Sequence, residues 1–514
     1  MTTAANEYDP PRADLAATGT AAHDPGSPDP AGLPGPTAGH PVGLYVLFGA
    51  EMWERFSYYG MRALLVLYLV YHLQYADKDA KAMYATYTGL VYLTPILGGL
   101  LADRFLGQRK AILIGAVVMA MGHFAMAFES MLFLALSLLI IGNGFFKPNI
   151  STMVGNLYPQ GDARRDSAYT IFYIGINLGA FIAPLACGYL AESKSFGWHY
   201  GFGLAGIGMV LGLISFLVFQ DRLVGGFPPG STQARLTATD GVHVVLASLI
   251  CLGAAYGFGR AWPAVQPYIG HGIKVIMVLY LLGLVYAFAR VARGGDTEEG
   301  IIWQRLAVIL VVGLFSIVFW MGFEQAGGNL NLFAKEKTDR ATSLVQGGEF
   351  PASWFQSVNS LFILALASLF SILWATLDRT RFKLSSPGKM GFGLIALGLG
   401  FVVMRGAEAA SADGKVSPTW LVGFYFLATV GELCLSPIGL SLVNKLAPAK
   451  VASLMMALWF TCTAIANYLA GTIDVELERF HVPLFPFLIV VSAVSGIVLL
   501  VLTKPLTRMG HGRL

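Results

Sequence analysis

Glu51-Met52-Trp53-Glu54-Arg55-Phe56-Ser57-Tyr58-Tyr59-Gly60-Met61-Arg62 sits inside an otherwise apolar run, residues 43–72. About 20 mostly apolar residues make a membrane-spanning helix. An ionisable side chain at the bilayer centre costs roughly 2.5–3.5 kcal/mol on insertion scales. A span that keeps Glu51, Glu54, Arg55 and Arg62 keeps them for a purpose. At about 100° per residue, Glu51, Arg55, Tyr58 and Arg62 fall on one helix face and Glu54 on its flank. That polar stripe must face protein or water, because lipid cannot satisfy it.

The rest of the chain agrees that the solvent is lipid. Of 514 residues, 55% are hydrophobic and 12% charged, with a mean hydropathy of +0.63. Soluble domains carry about 25% charged residues. An ordinary soluble enzyme and a disordered scaffold are both excluded. The net charge of +4 is too small for a nucleic-acid footprint on a chain this long. The 60 glycines suit closely packed membrane helices. Cys187, Cys251, Cys434 and Cys462 all lie in apolar stretches and read as small buried hydrophobes.

A 20-residue window finds candidate spans at 43–72, 83–103, 110–128, 131–147, 168–190, 200–219, 241–260, 271–292, 302–323, 355–377, 388–406, 418–441, 452–472 and 483–503. This predicts an all-α polytopic membrane protein with 14 spans, and an even count places both termini on one side. Short loops rich in Lys and Arg stay on the cytoplasmic side. Arg104, Arg109, Lys110, Arg164, Arg165, Arg379, Arg381, Lys383, Lys389, Lys445, Lys450, Lys504, Arg508 and Arg513 fall on one face. Both termini are therefore expected in the cytoplasm, with the chain in the cell (inner) membrane. Residues 1–40 are rich in Pro, Gly and Ala with scattered acids. They lack a signal-peptide pattern and read as a disordered cytoplasmic tail. Residues 506–514 form a second short cytoplasmic tail.

Segments 241–260 and 271–292 carry little charge and follow a Gly/Pro/Arg-containing linker. They read as an inserted hairpin. The expected organisation is a six-helix bundle at 41–220, a linker and hairpin at 221–300, and a six-helix bundle at 301–505. With the pair set aside, intramembrane charge recurs at the first, fourth, seventh and tenth spans, through Glu51–Arg62, Lys147, Glu324 and Glu432. A three-helix period is what a transporter built from helical repeats around a central cavity produces. Glu51, Glu54, Glu324 and Glu432 balance Arg55, Arg62 and Lys147. A carboxylate beside a cation stays ionised, and one that is separated and desolvated takes up a proton. Pairs that open and close would thus couple proton binding to helix movement; static pairs that merely join helices are the alternative.

Residues 51–60 resemble the ExxERFxYYG signature of the proton-dependent oligopeptide transporters, a branch of the major facilitator superfamily. Phe172-Tyr173-Ile174-Gly175-Ile176-Asn177-Leu178-Gly179 resembles the family's FYxxINxG motif. Gly144 to Asn149 is similar to GxxKPN, and Trp354-Phe355-Gln356-Ser357-Val358-Asn359 to WFQSxN. Gly98 to Arg109 resembles the superfamily's loop between helices two and three, and the likeness extends over residues 40–505. The inserted pair is similar to that of prokaryotic members.

The resemblance implies symport of di- and tripeptides with protons by alternating access, with the proton gradient as driving force and no cofactor. By the same resemblance, Arg55, Tyr59 and Lys147 hold the peptide carboxylate, and Asn177, Asn359 and Glu432 its amino terminus. Glu51 and Glu54 couple protons, together with Arg55, Glu324 and Glu432. Arg62–Glu324 and Lys147–Glu432 are the implied gating salt bridges. Tyr92, Trp320, Phe323 and Trp459 are candidate side-chain pockets or plain packing aromatics. The partners implied are peptides, protons and the bilayer, with no nucleic acid, and the monomer is the expected working unit. One departure stands out. Ala326-Gly327-Gly328 follows Glu324-Gln325, where the family often has Gly-Ser.

Other signals read as structure. Gly201 to Gly206 fits GxGxxG but lies in a span, so helix packing is the reading. Gly388-Lys389 and Gly414-Lys415 lack the following Ser or Thr of a Walker A loop, which weighs against ATP-driven transport. His123 has no second histidine at ligand spacing, against a metal or haem site. His72 is expected at the interface. Two rival functions stay open: a non-peptide cargo such as nitrate or a peptide-like drug on the same scaffold, and a multispan membrane enzyme or sensor.

Overall fold

The computed structural model describes residues 39–513 apart from 160, 161, 163, 228–234, 296, 344, 346, 381, 382, 449 and 450. The expected N-terminal tail, except residues 39 and 40, therefore lies outside the described residues, as do Arg381 and Lys450. Among the described residues the regular structure is helical. The α-helices are α1 (Val42–Leu67), α2 (Asp77–Leu101), α3 (Gln108–Ala125), α4 (Leu132–Asn156), α5 (Arg164–Ala191), α6 (Trp198–Val218) and α7 (Ala238–Gly294). They continue as α8 (Glu298–Phe323), α9 (Asn329–Glu336), α10 (Phe355–Leu377), α11 (Ser386–Ala410), α12 (Thr419–Leu446), α13 (Ala452–Ala470), α14 (Ile473–Glu478) and α15 (Leu484–Met509). Among the described residues ten helical stretches are long and apolar enough to cross a membrane. The central charges of α1 keep it out of that number. The protein is a multi-pass membrane protein.

Several boundaries move for physical reasons. Helix α2 begins at Asp77 rather than near 83, since Asp77 and Asp79 occupy its first turn, where carboxylates complement the helix dipole. Helix α4 runs on to Asn156, so Lys147 and Pro148 lie inside it rather than at its end. Helix α1 passes into a π-helical turn, Tyr68–His72.

The expected hairpin is the largest difference. Residues 238–294 form one uninterrupted helical run of 57 residues, about 85 Å if straight. Its contacts show that it doubles back. Asp240 meets Lys110 at the start of α3, and Trp262 stacks on Phe133 at the start of α4. Gly270 lies against Tyr468 at the end of α13, Tyr280 donates to the Leu310 carbonyl, and Arg290 meets Glu299 at the start of α8. The run thus crosses and returns, turning through the stretch that holds Pro263 and Pro267. Each proline deletes one backbone donor and loosens the helical ladder there.

Helix α1 packs on α5 and α6, α4 on α2 and α3, α11 on α12 and α15, and α8 on α13. The helices before α7 meet those after it mainly through α2 against α13 and α5 against α10. The packing is close. A Cβ at Gly98 would fall on the carbonyl of Gly144, and one at Gly179 on the carbonyl of Met52. In the GxGxxG stretch, Gly201 faces Ala191 and Gly206 faces the Phe124 ring. The four cysteines are free and buried.

Candidate functional site

The polar stripe of α1 points inward. Glu51 and Glu54 are 0% exposed and Arg55 and Arg62 6%. At the lower part of the stripe Arg55 makes a two-pronged bond to Glu54, its second prong at 2.6 Å. Its Nε also lies 3.4 Å from Glu51 Oε1. Lys147 of α4 reaches the same Glu51 oxygen. Two carboxylates and two cations therefore form one buried cluster, with Lys147 at its open edge, 30% exposed at its side chain. Glu51 Oε2 has no hydrogen-bond partner among the described residues. Removing one partner from such a cluster leaves an uncompensated buried charge, at about 3–5 kcal/mol.

One turn further on, the Tyr58 and Tyr59 rings lie beneath the Arg55 guanidinium, at 5.0 and 5.9 Å. Tyr59 also lies 5.6 Å from Arg62. Arg62 pairs with Glu324, which opens the 3₁₀ turn Glu324–Gly327 that breaks α8 from α9. The turn brings Glu324 off the helix end and toward α1. The remaining carboxylate, Glu432 of α12, accepts from Asn359 Nδ2 at 2.9 Å. Asn359 also donates to Thr429 at 3.0 Å, which fixes its amide toward the carboxylate.

The expected site residues thus fall into three groups. Glu51, Glu54, Arg55 and Lys147 meet, Arg62 meets Glu324, and Asn359 meets Glu432. Lys147 is bonded to Glu51, not Glu432, so the implied Lys147–Glu432 pair is not formed in this conformation. Tyr59 bridges the first two groups. Asn177 donates to the Tyr173 carbonyl of its own helix. Trp320 stacks edge-on to Phe319 and Phe323. Trp459 is 6% exposed and lies against Gly439. Tyr92 sits on α2, partly buried. His72 meets Glu129 at the surface. His123 is buried with neither ring nitrogen bonded among the described residues.

The ties between the helices before and after α7 cluster at one end. Besides Arg62–Glu324, Lys81 pairs with Asp474 and donates to Asn329 at 3.0 Å. Asn331 donates to the Ala63 carbonyl at 2.8 Å. Glu192 accepts from Lys335, the amides of Ala352 and Ser353, and the Ser353 hydroxyl. Trp354 and Ser357 donate to carbonyls of α5. Toward the opposite end, Leu97 of α2, Leu369 of α10 and Leu454 of α13 are 59–63% exposed.

Sequence reasoning did not reach Lys81, Glu192, Asp474 or Tyr84, whose hydroxyl accepts from Arg62 Nε at 2.6 Å. In the sequence Lys81 and Asp474 lie among other charges just outside the expected spans. Tyr84 is one tyrosine in an apolar span. The only available signal was the mixed-sign run Asp77-Lys78-Asp79-Lys81.

Known proteins resemble this chain in sequence and fold. The sequence model of the POT family matches residues 109–482. "Peptide transporter YePEPT" of Yersinia enterocolitica subsp. palearctica serotype O:3 is 37% identical over 503 residues, 92% of this chain and 95% of that protein. A "Di-/tripeptide transporter" of Lactococcus lactis subsp. cremoris is 34% identical, over 92% of this chain and 97% of its own length. A crystal structure of "peptide transporter POT in complex with sulfate" superposes with a TM-score of 0.77 at 34% identity, covering 92% of this chain and 96% of that one.

Proposed function

The chain belongs to the POT family, and on that premise we propose that it is a proton-coupled symporter importing di- and tripeptides by alternating access. The single observation that carries the reading from geometry is the buried cluster of Glu51, Glu54, Arg55 and Lys147, with Asn359–Glu432 as a second polar group. A zwitterionic peptide needs a cation for its carboxylate and a carboxylate for its amino group. Arg55, Tyr59 and Lys147 take the first role. Asn177, Asn359 and Glu432 take the second. Backbone recognition of this kind leaves side chains free, and Tyr92, Trp320 and Trp459 line the space for them.

Proton coupling works through the same groups. A peptide carboxylate that binds Arg55 and Lys147 competes with Glu51 and Glu54 for them. A carboxylate displaced from its cation in a buried site takes up a proton, so peptide and proton load together. Arg62–Glu324 and Lys147–Glu432 then alternate as gates. The first is closed here and the second open, and this supports a conformation sealed at the Lys81 end. With both termini cytoplasmic in the inner membrane, the sealed end is the outer one and the site opens inward. Two six-helix bundles, 41–220 and 301–505, rock about this site. The doubled-back α7 supplies the inserted pair of a 14-span chain that works as a monomer, driven by the proton gradient without a cofactor.

The test is uptake by reconstituted protein. A labelled dipeptide should accumulate under an inward proton gradient, and unlabelled Ala-Ala should displace it. Absence of gradient-driven uptake across a small peptide panel would sink the reading.

A further inference from the structure

Tyr84 stands beside the Arg62–Glu324 pair, bonded to Arg62, and belongs to neither helix that carries it. Its ring is 1% exposed, and its hydroxyl oxygen accepts from Arg62 Nε at 2.6 Å while the terminal nitrogen of the same guanidinium bonds Glu324. A second observation concerns the turn that bears Glu324. A Cβ at Gly327 would land on the Tyr84 hydroxyl, with the ring's Cε1 at 2.9 Å. The side-chain-free backbone at Gly327 is what lets the phenol reach Arg62. The local sequence Ala326-Gly327-Gly328 thereby acquires a reason.

We propose that Tyr84, seated on Gly327, is a positioning residue that holds the Arg62 guanidinium when Glu324 gives up its ion pair. The proposal rests on the proton-symport reading above. Arg62 is buried, and a buried cation left without any acceptor is costly. When Glu324 is protonated, the Tyr84 oxygen remains as a partner, so the opened state is less unfavourable. Removing that oxygen makes Glu324 harder to protonate. The groups that face the pair are Tyr58 and Tyr59 of α1, Tyr87 and Tyr92 of α2, and Tyr425 and Glu432 of α12. None of these is bonded to Arg62 among the described residues, so none takes over the hydrogen bond.

The experiment is proton-driven dipeptide uptake against external pH in proteoliposomes, for the full chain and for Tyr84→Phe. Tyr84→Phe should move the limb on which uptake falls with rising pH down by about half a pH unit or more, since one unit equals 1.36 kcal/mol and a hydrogen bond to a charge exceeds that. Peptide exchange without a gradient should persist. Gly327→Ala displaces the same hydroxyl and should move the profile the same way. The Tyr84→Phe/Gly327→Ala pair should move it no further than Gly327→Ala alone. Should Tyr84→Phe fail to fold, Gly327→Ala carries the same readout. A profile that superimposes on the parent's, or that only scales in height, overturns the proposal while leaving peptide symport intact. Failure of the parent chain to transport would instead overturn the reading beneath it.

Discussion

Arg62–Glu324 joins helices that lie on either side of α7 in the chain, whereas Glu51, Glu54, Arg55 and Lys147 all belong to α1 and α4. The two ion-paired regions share burial and residue types but do different mechanical work. The first ties the two parts of the molecule together, as do Lys81–Asp474 and the bonds to Glu192 at the same end. The second leaves the parts free of one another and keeps Lys147 at an exposed edge, with Glu432 held by an amide instead of an ammonium. On the proposed function, a charged pair acts as a latch where its partners come from opposite parts, and the pairs confined to one part form the binding surface.

The comparison breaks most severely at Arg55. Arg55→Ala strips the cation from buried Glu54 and leaves buried Glu51 with Lys147 alone, a change of about 3–5 kcal/mol in the local balance. Uptake and gradient-free peptide exchange should both fall by two orders of magnitude or more. Glu51→Gln keeps the shape and removes the charge. It should abolish gradient-driven uptake and preserve exchange. Equal loss in both assays for Glu51→Gln would mean that this carboxylate binds cargo or holds the fold rather than coupling protons.

The next effect is at the latch. Glu324→Gln leaves Arg62 buried with the Tyr84 oxygen and a neutral amide in place of its counter-ion. Uptake should drop about tenfold, and the sealed end should open more often. Ala85 is buried against Gly471 at that end, and the four native cysteines are buried. A cysteine at Ala85 should therefore react faster with an external thiol reagent in the Glu324→Gln background. No change in labelling would separate Glu324 from the seal.

Lys81–Asp474 sharpens the same point at a smaller scale. Its side chains are 11% and 13% exposed, against 7% and 4% for Arg62 and Glu324, so it sits nearer to water and breaking it leaves a less deeply buried charge. Lys81→Gln should change uptake about two- to fivefold and quicken labelling at Ala85 only slightly. An effect as large as that of Glu324→Gln would make this pair, not Arg62–Glu324, the principal latch.

How much of this could be read in the chain depends on whether a feature is local. The stripe from Glu51 to Arg62 was legible because helical spacing alone puts those residues on one face. Lys147, Glu324 and Glu432 were legible because charge in an apolar run has few explanations. The doubling-back of α7 was legible as two apolar windows, yet not as one helical run, since Pro263 and Pro267 bend a helix without ending it. The partner of Lys147 was not legible, because Glu51 and Glu432 are equally good partners and the choice depends on which end of the molecule is closed. Tyr84 was invisible for a related reason. Nothing in a lone tyrosine says that a glycine 243 positions later leaves room for its hydroxyl.

The smallest expected effect lies outside the membrane, beyond the sealed end. Glu349 accepts from Lys415 at 3.0 Å and pairs with Arg340 at 2.7 Å. The Lys415 hydrogen bond, followed by the charge of Arg340, holds its carboxyl below the usual value of 4.5. A carboxylate lowered in the folded state adds stability above its unfolded value and loses it as the pH falls through the folded one. The advantage of the parent chain over Glu349→Gln in thermal melting should thus be present at pH 7, shrink below pH 4.5 and vanish at lower pH. The side chain is 46% exposed, so salt should shrink it too. A difference that survives acid and salt would show that Glu349 acts by packing the 338–351 loop. The charges beyond the seal would then be ornaments of shape, and the division between latch and surface would rest on the buried pairs alone.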